Sequence, residues 1–197
     1  MRYVVFDVET PNWANDRISA IGVVIVEDGC IVQRFFSLVQ PETHFDAFNV
    51  QLTGITPQMV ADAPTFAQLW PQLRPLMESG TLVAHNAPFD MAVLGKCLHH
   101  YGIVWRDTTE YLCTCRLAKR ALPQLINHKL DTLCHHYRIQ LQHHQADSDA
   151  LACAHLLIKL GEILPAQAVL RRYDLRALRT LNAPKTPRTC HQEVSKW

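Results

Sequence analysis

Two carboxylates one residue apart interrupt the first apolar run of the chain: Tyr3-Val4-Val5-Phe6 leads directly into Asp7-Val8-Glu9-Thr10. A β-branched and aromatic run of this kind reads as a buried strand, and side chains alternate faces along a strand. Asp7 and Glu9 therefore project from one face while Val8 enters a core on the other. Two acids aimed at one spot beside a hydrophobic layer repel each other and lose hydration unless a cation sits between them. Oxygen donors of this kind suit Mg²⁺ or Mn²⁺. The same five residues also allow a simpler arrangement, in which the strand frays at Glu9 and both acids are solvated in a loop.

The segments beyond Thr10 decide the fold class. Ile18 to Val26 and Ile31 to Val39 are rich in β-branched residues and are separated by Asp28-Gly29, a hairpin signal, so the front of the chain reads as three antiparallel strands. Thr56-Pro57 has the form of a helix start. Phe66, Leu69, Trp70, Leu73 and Leu76 recur at helical spacing over Phe66 to Met77. Thr81 to Ala84 is a short buried strand, Pro88 opens a further helix, and Tyr111 to Cys115 reads as the last strand. Helices are expected over Leu130 to Tyr137, Ser148 to Leu160 and Ala166 to Leu181. Strands first, then strand and helix in alternation, predict an α/β sheet mixing antiparallel and parallel strands under a cover of helices.

The chain has 197 residues, enough for one domain with a real core. The expected division is a domain over residues 1–163 and a C-terminal helix with a basic tail over 164–197. No apolar run approaches bilayer length and no charged-then-apolar leader opens the sequence, so a soluble, cytoplasmic protein without membrane contact is expected. The seven cysteines are scattered, without the paired spacing of a zinc site, which fits reduced thiols. Net charge is +1 overall, but residues 161–197 carry +4 and the first 160 carry −3. A positive end joined to an acidic body could guide a phosphate polymer toward a metal site, and solvated terminal helices show the same skew.

Two further acidic stations stand at element junctions. His85-Asn86-Ala87-Pro88-Phe89-Asp90 leaves the short buried strand and enters a helix, whose first turn favours a carboxylate at Asp90. His143-His144-Gln145-Ala146-Asp147-Ser148-Asp149-Ala150 precedes a helix with an Ala150, Cys153, Ala154, Leu157 stripe. A carboxylate in that first turn is held rigidly, while a histidine before it rides on a loop, as suits a fixed ligand and a movable base. Taken singly, each station also reads as a solvated turn with a capping aspartate.

Together the three stations, in this order and at these junctions, resemble the motifs of the DEDDh exonucleases, a family that includes proofreading subunits of bacterial replicative polymerases, exonuclease X, ribonuclease T and oligoribonuclease. The resemblance spans about residues 2–160, including Ser19-Ala20-Ile21-Gly22 and Leu52-Thr53-Gly54-Ile55-Thr56. It implies a ribonuclease H-like fold, a mixed five-stranded sheet flanked by helices. It implies Asp7, Glu9, Asp90 and Asp149 as ligands of two divalent cations, Mg²⁺ or Mn²⁺, and His144 as general base. His144 rather than His143 has the family's spacing to Asp149, and Asp147 is left as a helix cap. Thr10 and Asn86 fall where the terminal nucleotide would be touched, and Trp13, on the loop after Glu9, is a candidate for stacking on a base. Thr53 stands where the family often has histidine, a departure that bears on the grip on substrate. The implied activity is 3′–5′ hydrolysis of single-stranded ends with release of nucleoside 5′-monophosphates. DNA is favoured, RNA trimming is the alternative, and a polymerase or replication protein is a candidate partner. A non-catalytic polymerase-associated module is the reading from a different class.

Overall fold

The structure is a computed structural model and describes residues 1–175. Six strands form one mixed sheet: β1 (Arg2–Glu9), β2 (Ala20–Glu27), β3 (Cys30–Leu38), β4 (Thr81–Ala84), β5 (Thr108–Cys113) and β6 (Arg171–Asp174). Their order across the sheet is β3-β2-β1-β4-β5-β6. The hairpin pairs β1, β2 and β3 antiparallel, while β4 and β5 run parallel to β1, so the carboxyl ends of β1, β4 and β5 share one edge. Catalytic groups collect at such an edge in open α/β sheets.

Six helices cover the sheet: α1 (Ala47–Thr53), α2 (Phe66–Glu78), α3 (Pro88–His100), α4 (Thr114–Ala121), α5 (Leu130–Tyr137) and α6 (Ala146–Gly161). Strand alternation divides the core. Val4, Phe6 and Val8 pack with residues of α2 and α3, whereas Val5 packs with residues of α4, α5 and α6. Asp7 and Glu9, in phase with Val5, therefore project on the α6 side, and Val8 is buried on the other, as the sequence predicts. The α2 helix starts on a capping box between Thr65 and Gln68.

One glycine fixes how near α6 comes. Gly22 lies opposite Asp7 in the β1–β2 register. A Cβ at Gly22 would collide with the Ala146 carbonyl, so only glycine lets the first turn of α6 rest directly on β2 beside Asp7.

The structure departs from the sequence expectations in several places. The sheet has six strands, not five, because residues 171–174 pair antiparallel with β5. Within the helix expected from Ala166, residues 166–169 form a 3₁₀ turn and 171–174 this strand. The remainder of that expected helix, with the basic tail, lies outside the described residues. An open β5 edge would leave unpaired backbone donors and acceptors, and pairing them outweighs a weak helical pattern. Leu175 continues into the core, so the folded sheet runs past residue 163. Thr56-Pro57 opens turns rather than a helix. The helix of that region is α1, seven residues long, closed by Gly54 in the left-handed conformation with its N–H donating to the Val50 carbonyl. The strand expected through Cys115 stops at Cys113, where α4 begins. Asp147 does not cap α6; it lies inside the first turn and accepts from Arg34 Nη2 at 2.7 Å, and Gln145 holds the cap position.

Candidate active site

Four carboxylates reach the shared edge from three elements. Asp7 and Glu9 come from the end of β1, Asp90 from the first turn of α3, and Asp149 from the first turn of α6. Asp7 is half-buried; Glu9, Asp90 and Asp149 are 7%, 2% and 4% exposed. Two of the four thus sit where helix N-termini supply partial positive charge. Carboxylate oxygens of Asp7, Glu9 and Asp149 lie within 4.8 Å of one another.

This much acid in so little water is unfavourable for protein alone. Burial raises Asp7 well above the usual carboxylate range, and repulsion from Asp90, Glu9 and Asp149 adds to it. Burial, then Asp149, pushes Glu9 up to about 8. Asp90 is raised by burial although backbone N–H groups at Asp90 and Val8 oppose it. Asp149 is raised by burial, against the pull of His143 and His144. The Asp149 Oδ1 atom is buried with no hydrogen-bond partner among the described residues. Oxygen-only donors at this separation, including one orphaned oxygen, fit hard divalent cations, and bound cations would reverse each of these shifts.

The histidines occupy the corner before α6. The His144 backbone N–H donates to Asp149 Oδ2 at 3.1 Å. The His143 Nδ1 lies 3.0 Å from the same oxygen, as the donor that a carboxylate partner selects. The two rings stack at 4.0 Å. His144 has φ of 65°, a left-handed conformation that turns the chain sharply into α6. The structure therefore brings both histidines to the site: His143 by its ring, His144 by its backbone, with its own ring nitrogens free of any bond to Asp149. Burial and His143 lower the pKa of His144 from its ordinary value.

All of these groups line one cleft of about 720 Å³. Thr10 and Asn86 also line it. The Thr10 hydroxyl donates to Asn15 Oδ1 at 2.9 Å, and Asn86 takes a left-handed φ of 60° at the turn into α3. Trp13 is not among the lining residues; it is 67% exposed and stacks on Phe48 at 4.8 Å. Thr53 lines the cleft through α1.

Several lining residues have roles that the sequence did not signal. Asn49 on α1 is buried and donates to the Thr10 carbonyl at 2.9 Å, tying the helix to the end of β1. His85, inside the second station, lines the cleft and also acts as a strut: its Nδ1 lies 2.9 Å from Thr114 Oγ1 and its Nε2 3.1 Å from the His128 carbonyl. Burial lowers its pKa to about 4, so the ring is neutral, with Nε2–H as donor to the carbonyl and Nδ1 as acceptor from the hydroxyl. His128 Nε2 in turn reaches the Leu122 carbonyl at 2.9 Å, pinning the segment that carries Lys129. A buried asparagine on a seven-residue helix and a loop strapped by histidines have no periodic signature to find.

Comparison with known proteins places the chain in a family. Residues 4–157 match the exonuclease family model. The PolC-type DNA polymerase III of Oceanobacillus iheyensis is 38% identical over 176 residues, covering 88% of this chain and 12% of that one. The PolC-type enzyme of Bacillus subtilis is 37% identical over 161 residues, 80% of this chain and 11% of that one. The chain thus spans only 12% and 11% of the length of these relatives. Among solved structures, exonuclease X in complex with 5′ overhanging duplex DNA superposes with a TM-score of 0.70 at 28% identity, covering 85% of this chain and 96% of that one. A structure of exonuclease I gives 0.70 at 17% identity over 83% of this chain and 41% of that one, a likeness of fold alone.

Proposed function

Since the chain belongs to the 3′–5′ exonuclease family, hydrolases of the ribonuclease H-like fold, we propose that it releases nucleoside 5′-monophosphates one at a time from the 3′ ends of single-stranded nucleic acid. The observation that carries this reading is the cluster of Asp7, Glu9 and Asp149 oxygens within 4.8 Å, with a buried orphan oxygen on Asp149. Asp7, Glu9, Asp90 and Asp149 would hold two Mg²⁺ or Mn²⁺ ions. Such ions neutralise the scissile phosphate and the charge that develops on the attacking and leaving oxygens.

The remaining roles fall to the chain's own groups. His144 accepts the proton of the attacking water; burial and His143 hold its pKa below the ordinary value, which favours the unprotonated imidazole that a base needs. His143 and the His144 backbone N–H hold Asp149 Oδ2 in place from outside. Thr10 and Asn86 line the space around the terminal nucleotide, and Trp13, outside the cleft lining, offers an exposed ring for a base further along the strand. Residues 1–163 form the catalytic unit, with the following segment closing the sheet edge.

DNA is the favoured substrate, because the relatives at 36–38% identity are DNA polymerases and the exonuclease X structure holds DNA. A DNA polymerase is accordingly the candidate partner. A non-catalytic module has no use for four mutually repelling acids, three of them buried, whose cost persists without a cation. Incubating the protein with 5′-labelled single-stranded DNA or RNA, in Mg²⁺, Mn²⁺ or a chelator, tests the reading. It predicts metal-dependent shortening from the 3′ end one nucleotide at a time, faster on DNA. No shortening with either metal would refute it, and faster RNA trimming would refute the DNA preference.

A further inference from the structure

The charges around the cleft are segregated. Its floor holds four carboxylates, and among the described residues the only lysine or arginine side chains lining it are Lys119 and Lys129. Both stand on one side: Lys119 on α4, which follows β5, and Lys129 at the start of α5. The other side, α1, contributes Asn49, Leu52 and Thr53 and no charge. That helix is bonded to the end of β1, two strands away from β5. Both lysines are exposed, and none of the ion pairs among the described residues engages either of them.

The Lys129 side is also built to hold still. The 122–129 segment is tied at both ends by histidine bonds, His85 to the His128 carbonyl and His128 to the Leu122 carbonyl. The Lys129 backbone N–H donates to Asn127 Oδ1 at 3.0 Å. Two ammonium groups that form no ion pair among the described residues, on a wall tied down above an acidic floor, are placed for an anion that passes the floor.

We propose that Lys119 and Lys129 form a phosphate track for the nucleotides 5′ of the cut, so that the strand lies with its backbone on the α4–α5 wall and its bases toward α1. The inference rests on the exonuclease reading and deepens it. In that reading the terminal nucleotide carries a single phosphate, the scissile one, which belongs over the carboxylates. Any further phosphate the lysines meet therefore lies upstream. The neutral α1 wall, with Leu52 39% exposed, faces bases more favourably than phosphates.

The test compares two substrates in Mn²⁺: a single-stranded oligonucleotide and the nitrophenyl ester of thymidine 5′-monophosphate, which has the scissile phosphate but nothing upstream. In Lys119→Gln/Lys129→Gln the ratio of kcat/KM on oligonucleotide to kcat/KM on the ester falls by on the order of tenfold. The salt dependence of the oligonucleotide reaction weakens by about 0.7 in log–log slope per lysine. Lys119→Arg/Lys129→Arg restores both. An unchanged ratio and slope, or equal loss on the two substrates, overturns the proposal. Wild-type protein inactive on both substrates would instead refute the exonuclease reading beneath it.

Discussion

The carboxylate floor and the histidine corner meet at Asp149, yet they are held in opposite ways. The floor is made by regular elements: Asp7 and Glu9 by a central strand, Asp90 and Asp149 by helix first turns. Its acids can relax little, and burial and mutual repulsion make a cation the natural relief. The corner is a loop turned by a left-handed residue, with two stacked imidazoles, one of them 41% exposed along its side chain. Rigid placement suits ligands, whose spacing sets where ions sit. A looser placement suits a base that must approach a water only when substrate is present.

Breaking the floor has the largest expected effect. Asp149→Ala removes one of three clustered oxygen donors and should lower kcat on a single strand by roughly 10³-fold or more, beyond the loss of a single electrostatic donor. Melting in the absence of metal should show the variant no less stable than wild type, since a buried, repelling acid has gone. Breaking the corner costs less. His144→Ala should lower kcat by about 10²-fold or more, whereas His143→Ala, which loosens Asp149 without removing the base, should cost about tenfold. Steady-state rates on one labelled oligonucleotide check both, and a larger loss in His143→Ala would reverse the assignment of the two rings.

The seam between α6 and β2 offers a subtler way to separate the two regions. Gly22→Ala forces the Ala146 carbonyl away from β2 and moves Asp149 with it. Overpacking there should destabilise the fold by roughly 1–3 kcal/mol, and in urea melts Mn²⁺ should stabilise the variant less than wild type.

A further effect, confined to the metal-free protein, is a pH dependence of stability. Glu9 in the fold has a pKa of about 8 against 4.5 as its ordinary value, so between these the folded state binds the proton that the unfolded state has released. Its contribution to stability is complete below about pH 4.5 and is lost as pH rises through about 8. One such proton gives a fall of at most about 1.4 kcal/mol per pH unit. Urea titrations from pH 5 to 8 should show metal-free stability declining, and saturating Mn²⁺ should flatten or reverse the trend.

The sequence told most where a side-chain pattern and a physical need coincided. The Asp7-Val8-Glu9 alternation placed both acids on one face because strand geometry leaves no other choice. Thr81–Ala84 and Leu130–Tyr137 were legible to the residue, as a short apolar run and a helical stripe. Elements whose reason lies elsewhere in the molecule stayed hidden. Residues 171–174 are a strand because β5 needs an edge partner, not because Arg-Arg-Tyr-Asp favours extension. The α1 helix exists around Asn49, whose meaning appears only beside Thr10. His85 read as part of an acidic station, but its two ring nitrogens bind Thr114 and His128, residues 29 and 43 positions away.

The division of labour between floor and corner is tested most directly by calorimetric titration of Mn²⁺ into wild type, Asp149→Asn and His144→Ala. Asp149→Asn should lose at least one binding event, while His144→Ala should keep the stoichiometry and affinity of wild type within a few-fold and still turn over about 10²-fold or more slower. Equal loss of Mn²⁺ binding in both variants would make His144 a ligand and contradict the account.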